Sequence, residues 1–271
     1  MKCLKDLKRM PYKDVNDIKI HYKISGEGFP IVLIHGLSDD LEYWKYLNNY
    51  LKDYFKVISL DLRGHGKSEE GIMEYSIQLF ADDIIQLLDK INIEKTNIIG
   101  FSLGGHISLE IITKYPQIIN KAILISCSAR IRSDMEEDFK GIMKSSEEGF
   151  EEFFDFIIAH ILPDDILNES KETLEIQKKE LAKKRNINGI RKAIKTHKNY
   201  DQYDDLSNID KEVLILYGED DTIIPRTAID ELNDNIKNSR LVTLKNTKHN
   251  VLIERNFDYV KEIIKDFLME K

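Results

Sequence analysis

The chain has 271 residues, 42% apolar and 32% charged, and 40 Lys and Arg against 48 Asp and Glu give a formal net charge of −8. So much apolar content and so little net charge per residue exclude a disordered chain, and at this length a folded core buries roughly 75% of the surface that the unfolded chain exposes. An acidic balance supplies no clustered Lys and Arg for nucleic acid or an anionic membrane, so neither partner is expected.

Residues 1–10 interleave Lys and Asp with single apolar residues, a pattern too broken for a secretory signal. No apolar run approaches the roughly 20 residues that span a bilayer, so a cytoplasmic protein without a membrane span is expected. Cys3 and Cys127 are too few and too far apart for a zinc module or a disulfide framework.

In chain order, residues 17–24 (DIKIHYKI) alternate apolar and polar, as a strand with one wet face does, and Ser25-Gly26-Glu27-Gly28 then turns the chain. The runs at 31–34 (IVLI), 57–60 (VISL), 97–99 (NII), 122–125 (AILI) and 213–217 (VLILY) are short and almost wholly apolar, which fits strands covered on both faces. Helical periods at 42–54, 75–91 and 103–115 lie between them. After Thr227 a helix, a strand at 241–244 and an amphipathic helix at 257–268 complete the alternation. The fold class is α/β, a mostly parallel sheet flanked by helices. One region breaks the rhythm: residues 130–205 hold no strand candidate and read as several helices, with Pro163-Asp164-Asp165 as a helix start. Structureless loops beyond ~15 residues are uncommon in compact domains. The expected organisation is therefore a core of residues 1–129 and 206–271 carrying an inserted all-helical cap, 130–205.

The strongest local signal is Gly100-Phe101-Ser102-Leu103-Gly104, where a buried strand meets a helix. A serine on such a sharp turn is held in strained backbone geometry and pushed out at the carboxyl end of the sheet. Taken alone, the run also fits a Gly-rich turn whose serine caps the helix. A nucleophilic serine needs a base, and the base an orienting carboxylate. Of seven histidines, His249 stands out, because its loop follows the last strand and opens at the same edge as Ser102. The acidic loop Gly218-Glu219-Asp220-Asp221, after strand 213–217, opens there too, with Asp221 positioned to point inward. The order Ser102, Asp221, His249 is one in which a Ser-Asp-His triad can be distributed over a sheet of this type.

With these motifs in place, the sequence resembles the α/β-hydrolase superfamily over nearly the whole chain apart from the cap. His35-Gly36-Leu37 is similar to the family's oxyanion-hole loop, with Trp44 in the helix that follows. Asp61-Leu62-Arg63-Gly64-His65-Gly66-Lys67-Ser68 resembles its structural turn. The G-x-x-D-x-x-x-P spacing of Gly218 to Pro225 selects Asp221 over Asp220. There are two departures: Lys248 precedes the histidine where relatives often carry Gly, and Asn256 stands where many have Pro. A cation beside the imidazole would lower its pKa. Ser126-Cys127-Ser128 carries no acid, which leaves the triad carboxylate to Asp221.

The resemblance implies attack by Ser102 on a carbonyl carbon, with His249 as base and Asp221 as its orienting acid, and an oxyanion held by the backbone N–H groups of Leu37 and Leu103. It implies no cofactor and no metal. Within the cap, Phe139, Met143, Phe153, Phe154 and Ile157 offer an apolar wall above Ser102, which favours a small to medium acyl group of a small-molecule ester or lactone. Cap size and Tyr203-Asp204-Asp205-Leu206 are similar to the esterase, enol-lactonase and cofactor-free haloperoxidase relatives. A carbon–carbon bond hydrolase, a thioesterase and a slow-turnover ligand receptor share the same motifs, and oligomeric state is not encoded in them.

Overall fold

Strands and helices alternate along the chain, and the strands assemble into one sheet. The computed structural model describes residues 11–270; Cys3 and the remainder of the amino-terminal segment lie outside them. The strands are β1 (Tyr12–Val15), β2 (Ile18–Ser25), β3 (Pro30–Ile34), β4 (Lys56–Leu60), β5 (Thr96–Phe101), β6 (Ile119–Ile125), β7 (Glu212–Gly218) and β8 (Ser239–Leu244). The helices are α1 (Lys45–Leu51), α2 (Ile77–Lys90), α3 (Leu103–Lys114), α4 (Glu136–Glu148), α5 (Phe150–Ile161), α6 (Asp164–Glu169), α7 (Lys171–Ala182), α8 (Ile187–Lys195), α9 (Arg226–Asn235) and α10 (Glu254–Met269). The sheet order is β1-β2-β4-β3-β5-β6-β7-β8. β2 pairs antiparallel with β1 and β4, and every pairing from β4 to β8 is parallel.

The apolar runs are continuous because both faces of the parallel strands are covered. Val32 and Ile34, Ile98, Leu124, and Val213 and Ile215 join one buried cluster with α2, α3 and α9. Their neighbours Ile31 and Leu33, Ile99, Ile125, and Leu214 and Leu216 join a second cluster with α1 and α10. Successive side chains on a strand point to opposite faces, so each run feeds both layers. The hairpin strand β1 lay outside the expectation, since it is four residues long and buries only Val15. The helix expected from 42 begins instead as a 3₁₀ turn, Leu41–Trp44, whose N-cap Asp40 accepts from the Glu42 N–H. No helix among the described residues is long and apolar enough to cross a membrane.

β4 lies on one side of β3 and β5 on the other, so the direction of winding reverses between β3 and β5. The loops leaving those two strands diverge and open a crevice at the carboxyl edge of the sheet. Between β6 and β7 the chain makes a helical excursion, α4 to α8, over this edge. Its base is stitched where the Gln202 N–H donates to the Ala129 carbonyl at 2.8 Å and Arg130 bridges Asp201.

Seating α3 against β3 and β5 requires an absence of side chains. A Cβ on Gly104 would be driven into the Ile34 carbonyl oxygen, and one on Gly100 into the Gly104 carbonyl and the Ser108 hydroxyl. One on Gly105 would lie 2.6 Å from Cys127 Sγ. Gly104→Ala should therefore destabilise the fold by about 3 kcal/mol, since backbone cannot yield as a flexible side chain can. A urea midpoint within error of the wild type would contradict this.

Candidate active site

Ser102 is the single residue between β5 and α3, and it adopts φ 52°, ψ −113°. A non-glycine residue there carries on the order of 1–3 kcal/mol of strain, which the surroundings must hold. Its N–H donates to the Ile125 carbonyl of β6 at 2.9 Å, and its carbonyl accepts from the N–H groups of Gly105 and His106 at 2.8 and 3.1 Å.

The loops after β7 and β8 bring Asp221 and His249 to the same place. Nδ1 of His249 lies 2.8 Å from Asp221 Oδ2, and Asp221 Oδ1 accepts from the N–H groups of Ile223 and Ile224 at 2.9 and 3.0 Å. A carboxylate so supplied with donors leaves the proton on Nδ1 and the lone pair on Nε2, the face needed by a base. Asp221 and His249 are both buried. No hydrogen bond joins Ser102 Oγ to His249, although both line the same cavity.

One positioning residue escaped the sequence reading. Ser126, at φ 49°, donates from Oγ to the His249 carbonyl at 2.7 Å, while its N–H binds the Leu216 carbonyl at 3.0 Å. Its sequence signal was a polar residue at the carboxyl end of the strand beside the nucleophile. The ring of Phe101 packs 5.2 Å from His249, Tyr43 stacks on Phe101 at 4.9 Å, and the Tyr43 hydroxyl donates to Asn250 Oδ1 at 3.1 Å.

Both departures in the histidine loop have partners. Lys248 Nζ donates to the Ala159 carbonyl at 2.9 Å and to Asp164 Oδ1 at 2.7 Å, both in the cap. Asn256 Nδ2 donates to Thr247 Oγ1 at 2.7 Å.

The loop after β3 is pinned by His35, which donates from Nδ1 to the Gly36 carbonyl at 2.8 Å and accepts at Nε2 from the Leu62 N–H at 3.0 Å. Asp39 N–H then closes a turn onto the Gly36 carbonyl at 3.3 Å, with Ser38 at φ 64°. This brings Leu37 to the cavity beside Ser102 and Leu103. Among the described residues neither the Leu37 nor the Leu103 N–H has a backbone acceptor. The 61–68 turn is a scaffold, as expected: the Asp61 carboxylate accepts from the Leu41 N–H, the Lys67 N–H and His21 Nδ1 at 2.7–2.8 Å.

Cap and loops enclose a cavity of about 70 Å³ around Ser102 and His249. Phe139 and Ile157 line it, as read from the sequence; Met143, Phe153 and Phe154 do not. On α4 the lining residue is Ile142, one position and so about 100° of helix from Met143. On α5 it is Ile157 and Ile161, one turn apart, whereas Phe153 sits a turn earlier and is spent on the cap interior at 1% exposure. Phe154 turns to Phe150, 6.3 Å away. Ile223 and Ile224 complete the apolar wall.

Two histidines in the wall link cap to core. His106 Nδ1 lies 3.2 Å from His197 Nε2, His197 Nδ1 faces the Ile194 carbonyl at 3.1 Å, and His106 Nε2 faces the Ser128 N–H and hydroxyl at 3.3 Å. One tautomer pattern satisfies all of these: Ser128 donates to His106, His106 to His197, and His197 to Ile194, with both rings neutral. Burial holds His106 well below the usual histidine range and His197 down at about 4. Among the described residues no cluster of three or more His, Cys, Asp or Glu is placed to hold a metal ion.

The family model for the alpha/beta hydrolase fold matches residues 30–256. The chain belongs to that family. Over 260 residues it is 25% identical to the human serine hydrolase BPHL, covering 94% of this chain and 84% of that one. An enol-lactonase from Burkholderia xenovorans superposes with a TM-score of 0.87 at 27% identity, over 96% of this chain and all of that one. Over 117 residues the chain is 33% identical to an uncharacterized protein of Mycobacterium tuberculosis, spanning only 34% of that protein's length and 43% of its own. As an α/β hydrolase, the chain places its Ser, Asp and His on the loops after β5, β7 and β8.

Neutral buried histidines give a pH signature with a definite sign. Above pH ~6.5 folded and unfolded states are both uncharged at His197. Below it the unfolded chain takes up a proton that the folded site refuses until about pH 4. Stability should fall across that window by up to about 1.4 kcal/mol per pH unit for each such group. Thermal melts from pH 7 to 4.5 should show the decline, with a shallower slope in His197→Gln; equal slopes would contradict it.

Proposed function

We propose that the protein is a serine hydrolase that cleaves a carboxylic ester or lactone with a small to medium apolar acyl group, through an acyl-enzyme formed on Ser102. What carries the reading is the buried Asp221–His249 pair, 2.8 Å apart, whose histidine shares one small cavity with a strained serine. The hydrolase and enol-lactonase among its relatives support ester and lactone chemistry.

In this mechanism Ser102 Oγ attacks the carbonyl carbon while its proton passes to His249 Nε2, and Asp221 stabilises the imidazolium through Nδ1–H. The carbonyl oxygen becomes an oxyanion that the N–H groups of Leu37 and Leu103 meet, at the amino end of α3, where the helix dipole is positive. Collapse of the tetrahedral intermediate breaks the bond to the leaving oxygen, which takes the proton from His249. Water then enters, gives its proton to His249, attacks the acyl carbon and releases the acid with Ser102 restored. Loss of one oxyanion donor costs about 3 kcal/mol of barrier, so these backbone positions matter as much as the side chains.

The cavity volume sets the size preference. About 70 Å³ falls far below the ~300–1,000 Å³ of pockets for drug-sized ligands, so short acyl chains fit under the closed cap and long ones must displace it. On p-nitrophenyl esters, kcat/KM should be highest for acetate to hexanoate and fall at least about tenfold for decanoate. Ser102→Ala should remove turnover and labelling by an organophosphonate, a loss of roughly 10⁶-fold in kcat. Asp221→Asn should lower kcat by about 10⁴-fold with the fold intact. Product limited to one equivalent per chain would instead favour a ligand receptor that retains the triad.

A further inference from the structure

The cavity contains one acidic group that the proposed chemistry does not use. Asp39 lines it together with Ser102, His249 and Leu37. Its backbone is fixed by the turn onto Gly36 described above, and its carboxylate lies over Gly36: a Cβ built on that glycine would be 3.4 Å from Asp39 Oδ2 and 2.9 Å from the Phe101 ring. Among the described residues no donor reaches either carboxylate oxygen. The neighbouring Asp40 differs, because Arg185 of the cap donates to it from NH1 at 2.6 Å. Asp39 is half-buried at the cavity wall, and a carboxyl there with no protein donor is open to a donor that a ligand supplies.

We infer that Asp39 is a specificity-determining residue that accepts a hydrogen bond from a hydroxyl or ammonium group on the leaving-group side of the substrate. This rests on the hydrolase reading and names a substrate class for it. The side follows from the neighbours: the Phe101 ring beside Asp39 also packs against His249, and His249 is the group that protonates the leaving oxygen in the proposed mechanism. Isoleucines from α4, α5 and the 223–224 loop line much of the remaining wall, which suits an apolar acyl group. The substrate class is thus an ester or lactone with an apolar acyl part and a donor-bearing alcohol part. A site built to bind a hydroxyl discriminates against the analogue that lacks it, since the acceptor then loses its partner.

Ionisation of Asp39 gives a second readout. Burial lifts its carboxyl to about 7, against the opposing charges of Arg185 and His249 and with the help of Asp40. Tyr43, which also faces it, stays protonated, raised well above its ordinary value by burial and by the Asp39 charge. The carboxylate is the better acceptor, so preference for a donor-bearing alcohol should strengthen as pH rises through 7.

The test compares two esters of the same acid, 2-hydroxyethyl butyrate and n-propyl butyrate, which differ by a hydroxyl in place of a methyl. The expected result is a kcat/KM ratio of at least about tenfold in favour of the hydroxyethyl ester in the wild type. The ratio should rise between pH 6 and 8, persist in part but become pH-independent in Asp39→Asn, whose amide oxygen still accepts, and fall toward one in Asp39→Leu. Turnover of both esters with a ratio near one in the wild type, or a ratio unmoved in Asp39→Leu, would overturn the assignment while leaving the serine hydrolase standing. An equal loss on both esters in Asp39→Asn, with the ratio kept at every pH, would place Asp39 with His249 and overturn it likewise. A wild type that turns over neither ester and whose Ser102 resists an organophosphonate would remove both readings together. Inertness toward both esters with Ser102 still labelled would remove only this one.

Discussion

The backbone of Ser102 cannot relax without lifting α3 from the sheet. Gly100 and Gly104 let helix and strands meet backbone to backbone, and that contact turns the chain through a conformation that an L-residue otherwise avoids. The neighbours hold the strain: Ile125 binds the serine's N–H, and the first turn of α3 takes its carbonyl. In the proposed mechanism a serine fixed this way costs stability in the ground state but needs no reorganisation at the moment of reaction, and the same turn offers the Leu103 N–H as an oxyanion donor.

Much of this was legible before any coordinates because parallel strands covered on both faces must be apolar throughout. The five runs from Ile31 to Tyr217 carry that mark, and the loops after four of the strands hold the chemistry. The edge strand β1 carries no such mark, since Tyr12 and Asp14 face solvent and only Val15 is buried. Ser126 was legible as a residue and not as a role: its bond to the His249 carbonyl joins positions 123 apart, and no local pattern encodes a contact between the loops after β6 and β8, two strands separated in the sheet by β7.

The cap shows where helical periodicity stops informing. Spacing identifies α4 and α5 as amphipathic, but their apolar faces serve two neighbours at once, the cap interior and the cavity at its edge. Phe153 satisfies the first and Ile157 the second, although they lie one turn apart on one helix. The choice is made by where the helix crosses the sheet. The crossing in turn is set by contacts such as Lys248 to Ala159 and Asp164, the Asn250 N–H to the Ile161 carbonyl at 3.2 Å, and Arg255 to Asp165 at 2.5 Å. All three leave the loop of His249 or the start of the helix after it. A residue that departs from the family's pattern, Lys248, thereby ties the His249 loop to the cap.

Charge buried in this protein is answered almost everywhere. Arg63 lies between Asp83 and Asp17 at 2.7 and 2.9 Å, Asp61 has two N–H donors and His21, and Asp221 has two N–H donors and His249. Such sets stabilise local geometry chiefly because breaking one leaves the remaining group unpaired in a medium that solvates it poorly. Asp39 differs, being half-buried at the cavity wall. Among the described residues no donor reaches its carboxylate, which leaves a ligand in the cavity to answer it. A ligand that brings the missing hydrogen meets an acceptor that no protein group occupies. Binding energy realised in this way at the alcohol end also serves to orient the carbonyl over Ser102.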